Sequence, residues 1–276
     1  MSRLFPRIAI LGAGSMGGAI LAGLVESGAA GDGVVVTNRT EAKAEPLRSL
    51  PGVTSLSHET TPDANRAALD GARLVLVGVK PAMVPGVLRE IGDALEEDAL
   101  VVSIAAGVTI ATMEAIVPNV VFRTMPNTPS VVRRGVTGLA AGSRASAEDT
   151  ALVRALFETV GAVVEVPEEK VNALSTISGS GPAYVFFLIE RLTEAARNLG
   201  FDEAQARLMV EETFLGASLL LEHSDVGPEE LRRRVTSPNG TTQRAIEVME
   251  QADLTSMFDR AAASAIARAE EIARGE

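Results

Sequence analysis

The sequence predicts an α/β protein in which a doubly wound parallel sheet is followed by an all-helical C-terminal domain. Three observations predict it. Short β-branched apolar runs alternate with helix-spaced segments through the first half. Strand-like runs disappear after Pro167, where Glu168 to Arg274 reads as helix after helix. Gly12, Gly14 and Gly17 stand between the first apolar run and the first helical segment.

Taken in order, the expected strands are Ile8–Leu11, Val34–Thr37, Leu74–Val79, Leu100–Ile104 and Val120–Thr124. Helical spacing falls at Met16–Ser27, Met83–Leu95 and Thr109–Ile116. Val136–Ala141 and Ala162–Val166 flank an Ala147–Val160 helix and read as added edge strands. The later helices are Val185–Asn198, Asp202–His223, Pro228–Arg234, Thr241–Glu250 and Leu254–Arg274, punctuated by Gly200, Gly227 and Gly240. The domain boundary is placed at Val166, giving a dinucleotide-type domain over 1–166 and a helical domain over 167–276.

Composition excludes several function classes. The chain has 276 residues, a net charge of -11 and no cysteine. The acidic balance argues against a general nucleic-acid binder, and Arg232-Arg233-Arg234 reads as a solvated helix face. Absent cysteine removes disulfides, thiolate metal sites and Cys nucleophiles. His58 and His223 lie far apart without metal-like spacing, so no metal site is expected. No apolar stretch approaches a membrane span. Arg3 and Arg7 ahead of an apolar run imitate a signal peptide. Cleavage there would delete a strand and a phosphate loop, so a cytoplasmic protein is expected. An Ala/Leu-rich helical half with few aromatics points to self-association.

Gly12-Ala13-Gly14-Ser15-Met16-Gly17 carries the dinucleotide signature. Gly12 permits the tight turn, Gly14 lets a pyrophosphate approach the backbone, and Gly17 allows close helix–strand contact, as in a Rossmann-type domain. The helix N-terminus adds N–H groups and a positive dipole end. At the tip of the second strand, Asn38 and Arg39 replace the carboxylate of an NAD-selective site. A guanidinium pairs with a 2′-phosphate, so NADPH is favoured, with NADH as the second option and an exposed loop arginine as the bland reading. Val79-Lys80-Pro81 and Ala105-Ala106-Gly107 end two further strands at the sheet edge where such folds bind ligands.

The helical half has no lysine after Lys170, and its one histidine, His223, sits beside Asp225. Alcohol oxidation, which needs a base for the hydroxyl proton, fits poorly. Reduction of a C=N bond fits better, because a protonated imine arrives electrophilic and carries its own proton. Ser237-Pro238-Asn239-Gly240 is strong turn chemistry ahead of an amphipathic helix. Thr241 or Asn239 can cap that helix, and Thr242 offers a spare hydroxyl. A capped helix without a ligand is the plain alternative. Gly179, Gly181 and Pro182 interrupt a helical stretch, with Pro182 removing one helix hydrogen bond.

Ser178-Gly179-Ser180-Gly181-Pro182-Ala183-Tyr184 and Val235-Thr236-Ser237-Pro238-Asn239-Gly240-Thr241-Thr242 resemble the pyrroline-5-carboxylate reductases. So do Val79-Lys80-Pro81, Ala105-Ala106-Gly107-Val108 and Met125-Pro126-Asn127-Thr128-Pro129. The resemblance implies NAD(P)H-dependent reduction of 1-pyrroline-5-carboxylate to L-proline. It implies that Thr242 faces the ring nitrogen, that Ser237–Gly240 and Thr241 hold the carboxylate, and that Glu168 and Pro182 lie on the substrate side. It implies a cofactor contact at Asn65, whereas Arg234 replaces an Asn found in some members. It also implies a dimer through the helical domain, assembled further into a decamer. A β-hydroxyacid dehydrogenase, a reductase of another cyclic imine and a non-catalytic NADP(H) sensor are the competing readings.

Overall fold

The computed structural model describes residues 5–274. The first unit alternates strand and helix: β1 Ile8–Leu11, α1 Ser15–Glu26, β2 Val34–Asn38, α2 Glu41–Ala44, β3 Val53–Ser57, α3 Ala64–Ala67 and β4 Leu74–Val77. It continues with α4 Val84–Ile91, β5 Leu100–Ser103, α5 Ile110–Glu114, β6 Val120–Met125, β7 Gly135–Ala141, α6 Ala147–Glu158 and β8 Gly161–Glu165. The strands form one sheet in the order β3-β2-β1-β4-β5-β6-β7-β8. All pairs are parallel except β6 with β7.

The double winding follows from the period of two along each strand. Ile8, Ile10, Val34, Val36, Leu74, Leu76, Leu100 and Val102 meet Ile20, Leu21 and Leu24 of α1 and Leu156 and Phe157 of α6. The alternate residues Ala9, Leu11, Val35, Val75, Val77 and Val101 meet Val84, Val87, Leu88 and Ile91 of α4 on the other face. Each such aliphatic side chain contributes about 1.5–3 kcal/mol on burial. Continuous apolar strands are the consequence of covering both faces.

Three details differ from the sequence expectation. β3 is an additional strand: Val53-Thr54-Ser55-Leu56-Ser57 has only two apolar residues, and it forms by pairing along β2 as an edge. Val136–Ala141 falls in β7, which is internal, between β6 and β8. The link from β6 to β7 is only a 3-10 turn at Thr128–Val132, too short for a crossover helix, so the chain doubles back antiparallel. Several helices are also shorter or shifted; Met83–Leu95 resolves into α4 flanked by 3-10 turns at Pro81–Met83 and Gly92–Ala94.

The chain divides into two compact units. The first runs to Ser180 and takes up the chain again from Ile266; the second is Gly181–Ala265. After β8 come α7 Val171–Leu174 and a π-helical turn at Ser175–Gly179. The remaining helices are α8 Gly181–Asn198, α9 Glu203–Glu222, α10 Pro228–Arg234, α11 Thr241–Gln251 and α12 Leu254–Arg274. Pro182 is the second residue of α8, not an interior breaker. Its missing N–H belongs to the first turn, where no intrahelical acceptor exists, so no helix hydrogen bond is lost. Asp202 starts α9 with a capping box, accepting from the Gln205 N–H at 2.8 Å.

The first unit buries an extensive core, whereas the second buries only Ala196, Ala206 and Val210 among its described apolar side chains. Phe186 and Phe187 of α8 and Leu219, Leu220 and Leu221 of α9 stay exposed in the single chain.

Two glycines test the reading of the sheet. A Cβ at Gly78 would stand 2.7 Å from the Gly12 carbonyl oxygen, backbone that cannot yield cheaply. Gly78→Ala is expected to lower stability by about 1–3 kcal/mol in a urea titration. Gly86, inside α4 with nothing within 4 Å of a built Cβ, gives the opposite sign. Gly86→Ala is expected to stabilise by roughly 0.5–1 kcal/mol.

Candidate active site

A cavity of about 650 Å³ opens at the carboxyl ends of β1, β2 and β4. Sheet order reverses here, because the chain leaves the β3 edge and crosses to β4 on the far side of β1. Open α/β sheets hold ligands at such a switch point. Gly12, Gly14, Asn38, Arg39, Asn65, Val79 and Lys80 line the cavity together.

The glycine turn is shaped for close approach. Gly12 has φ +92°, a conformation L side chains rarely adopt, and its built Cβ would lie 3.1 Å from Gly78 backbone. At Gly17 a Cβ would be 2.8 Å from the Gly12 oxygen, so α1 can seat against the turn only with glycine there. No side chain caps α1, and its first turn holds no acidic residue. Its leading amides are therefore available to an anion.

The tip of β2 carries the charge logic. Asn38 is buried, yet its Nδ2 has no hydrogen-bond partner. Arg39 and Lys43 are exposed and form no ion pair among the described residues. Glu41, close in sequence, does not neutralise them. Arg48 hydrogen-bonds its carboxylate and holds it down to about 2, and the Thr60 hydroxyl donates to it at 3.3 Å. An orphaned donor beside two free cations fits a phosphate-bearing dinucleotide.

Other expected residues lie just outside this lining. Ala13, Ser15 and Met16 continue the turn into α1, and Gly17 is buried beneath it. Pro81 opens the 3-10 turn after Lys80. Ala105 is buried beyond β5, its N–H donating to Ser103 Oγ at 3.3 Å, and Ala106 follows it. Thr37, Thr40, Lys43, His58, Gly78, Met83 and Glu90 also line the cavity. His58 escaped sequence reasoning because it follows β3, and Glu90 because nothing local marks its helix face as facing a ligand.

In the second unit, Ser237–Gly240 forms a turn closed by Gly240 N–H to Ser237 O at 3.0 Å. Asn239 has φ +59°, matching a type II turn with Pro238 ahead of it. Neither Thr241 nor Asn239 caps α11. Gly240 occupies the N-cap without a side-chain bond, and the Asn239 N–H instead donates to Gln243 Oε1 at 2.7 Å. Thr241 and Thr242 are exposed, and among the described residues neither hydroxyl has a partner. Uncapped amides with two free hydroxyls can receive a small carboxylate and one further polar atom.

Glu168 is committed elsewhere. Its Oε1 accepts from the Ile110 N–H at 2.8 Å and from Arg123 Nη1 at 3.2 Å, while Arg123 Nη2 donates to Asn172 at 2.8 Å. Asn127 ties the π-helical turn to β7, donating to Ser178 O at 2.9 Å and accepting from the Val136 N–H at 2.8 Å. Tyr184 leans on Phe258 with ring centroids 6.2 Å apart. His223 donates through Nδ1 to Leu219 O at 2.9 Å, a surface role, and Arg234 pairs with Glu230. Among the described residues no group of three or more acidic, His or Cys side chains could hold a metal.

A family model described as pyrroline-5-carboxylate reductase dimerisation matches residues 168–272. One described as NADP oxidoreductase coenzyme F420-dependent matches 7–107. The chain is 37% identical to the pyrroline-5-carboxylate reductase of Corynebacterium melassecola, over 97% of this chain and 98% of that one. It belongs to the pyrroline-5-carboxylate reductase family. The Pseudomonas aeruginosa reductase is 35% identical, with 97% of each chain covered. The solved reductase of Coxiella burnetii superposes with a TM-score of 0.87 at 35% identity, covering 96% of this chain and 97% of that one. The chain is thus an oxidoreductase of this family, and no helix among the described residues is long and apolar enough to cross a membrane.

A pyrroline-5-carboxylate reductase whose dimerisation segment buries so little of its own apolar surface must cover it by self-association. Phe186→Asp is expected to shift the protein to smaller species in sedimentation velocity at micromolar concentration. An unchanged sedimentation coefficient would remove α8 from the contact.

Proposed function

We infer that the chain reduces the C=N bond of 1-pyrroline-5-carboxylate to L-proline with NAD(P)H, the last step of proline biosynthesis. The observation that carries the substrate reading is the uncapped start of α11 with the unpartnered Thr241 and Thr242 hydroxyls. Such a terminus suits the carboxylate of a cyclic imino acid. Ser237, Pro238, Asn239 and Gly240 shape the turn, Thr241 and the leading amides hold the carboxylate, and Thr242 hydrogen-bonds the ring nitrogen. Pro182 fixes the start of α8 on the substrate side. Glu168 serves that side indirectly, by fixing the start of α5 and Arg123.

Bound dinucleotide supplies the hydride. The chain's own residues orient it. The leading amides of α1, at Ser15 and Met16, face the pyrophosphate, with Ala13 and Gly14 forming the turn beside it, while Gly12 and Gly17 keep the turn low. Val79, Lys80, Pro81, Ala105 and Ala106 line the strand ends toward the nicotinamide half. Asn38, Arg39 and Lys43 take the adenosine 2′-phosphate, so NADPH is preferred and NADH accepted. No protein acid is required, because the iminium brings its own proton. That spares the helical half a catalytic lysine, and none follows Lys170.

Residues 167–276 act as the substrate and self-association domain of a cytoplasmic homodimer that assembles further to a decamer. The dimerisation match and the exposed apolar helix faces support the dimer. The N-terminal apolar run is strand β1 with its glycine turn, in keeping with a retained segment. A β-hydroxyacid dehydrogenase would need the absent base, and a redox sensor would bind NADPH without turnover.

The deciding assay is NADPH oxidation with 1-pyrroline-5-carboxylate, with proline identified as product. Folded protein that binds NADPH but makes no proline would overturn the reading. Thr242→Val is expected to lose roughly 1 kcal/mol or more of transition-state stabilisation, read as kcat/KM. An unchanged kcat/KM would remove Thr242 from the reacting nitrogen. Arg39→Asp is expected to raise the KM for NADPH far more than that for NADH, and equal increases would remove the 2′-phosphate contact.

A further inference from the structure

A line of hydrogen bonds crosses the floor of the cavity, and two of its members, Thr37 and Glu90, have no role assigned above. The Gly12 N–H donates to Thr37 Oγ1 at 3.1 Å, and Thr37 Oγ1 donates to Asn65 Oδ1 at 2.9 Å. Asn65 Nδ2 donates to the Glu90 carboxylate at 3.2 and 3.4 Å. His58 Nε2 stands 3.2 Å from Asn65 Oδ1. The line joins the turn after β1, strand β2, helix α3 and helix α4. Gly12, Thr37, Asn65 and Glu90 all line the cavity.

The chemistry of the groups fixes every proton in it. A carboxylate only accepts, so the Asn65 amide nitrogen must face Glu90 and its oxygen must face Thr37. Thr37 Oγ1 receives the Gly12 N–H, so its single proton goes to Asn65. Asn65 Oδ1 then has Thr37 and His58 on its two lone pairs, and His58 Nε2 is a donor. One Asn65 amide proton remains for a ligand. Thr37 and Asn65 are 1% and 4% exposed, so the bond between them is shielded from water, and breaking it leaves a polar atom stranded.

We propose that Thr37 and Glu90 are positioning residues for the dinucleotide: together they hold the phosphate-facing Gly12 turn and lock the Asn65 amide in its ligand-facing orientation. The proposal rests on the dinucleotide reading of the cavity. It explains why a buried threonine hydroxyl stands one residue before the end of β2, where the two Thr37 O bonds, from Gly12 N–H at 3.2 Å and Ala13 N–H at 2.9 Å, already anchor the turn. The hydroxyl adds orientation rather than mere attachment. A preorganised turn and amide lower the ordering cost of binding.

The test compares unaltered protein with Thr37→Val, Thr37→Ser and Glu90→Gln. Readouts are the NADPH dissociation constant by fluorescence titration, kcat at saturating NADPH, and the KM for the imino acid. Thr37→Val keeps the shape and removes the hydroxyl. It is expected to weaken NADPH by about tenfold, the equivalent of one lost hydrogen bond, with kcat and the imino-acid KM unchanged. Thr37→Ser should restore binding to within about twofold of the unaltered protein, since the hydroxyl returns. Glu90→Gln, whose amide can donate as well as accept, releases the constraint on Asn65 and should weaken NADPH several-fold. Because Glu90 is exposed, that variant keeps the test available even if Thr37→Val does not fold. Unchanged NADPH affinity in folded Thr37→Val or in Glu90→Gln would overturn the proposal, as would a Thr37→Val effect on melting temperature alone. If the unaltered protein bound no NADPH, the dinucleotide reading would fail and the proposal with it, an outcome separate from the other two.

Discussion

The dinucleotide end of this protein depends on how closely the chain leaving β1 can approach the chain leaving β4. The Gly78 N–H donates to Leu11 O at 2.8 Å, and a Cβ on Gly78 would collide with the Gly12 carbonyl. Two glycines facing each other across the switch point let the turn lie flat against the strand end. That contact sets the height of the turn and the seat of α1 above it. It also leaves a hollow between β1, β2 and β4 where a long ligand can lie along the sheet edge. A single methyl group at this junction acts on the packing and on the ligand floor together, because the same backbone serves both.

Much of the plan was legible from local signals. Glycine spacing located the turn and α1, because positive φ and close approach leave few alternatives. Asn239 was readable as a positive-φ position for the same reason, and Pro238 marked the turn. Apolar periodicity located the central strands, since burial on both faces demands it. What escaped depends on partners distant in sequence. β3 exists because β2 offers it an edge, not because Val53-Thr54-Ser55-Leu56-Ser57 insists on being a strand. His58 reaches the cavity only once β3 is in place, and Glu90 only once α4 lies across α3. The cap of α11 was misread because the helix starts so that Gly240 takes the N-cap position, leaving Asn239 one residue before it and Thr241 one residue after. Local propensity ranks capping residues but does not reveal which acceptor competes.

The two units illustrate different solutions to charge. In the first, the free cations Arg39 and Lys43 and the orphaned amide of Asn38 wait at a cavity edge, uncancelled by nearby acids. In the second, arginines are consumed by neighbours: Arg233 and Arg234 both hold Glu230, whose carboxyl falls to about 2, and Arg207 pairs with Glu211. The turn ahead of α11 presents uncapped amides and the Thr241 and Thr242 hydroxyls, groups that carry no net charge.

The chain leaves the first unit at Gly181 and returns to it at Ile266. During synthesis the ribosome must therefore deliver the whole helical insertion before the last piece of the first unit emerges. The nascent chain carries α8 and α9, with their apolar faces uncovered, after the sheet is complete but before the closing stretch from Ile266 has been made. Covering those faces takes a second chain, so maturation includes a bimolecular step whose speed scales with how many copies are being made at once. Scarcity, rather than damage, is then the condition under which this fold is most vulnerable.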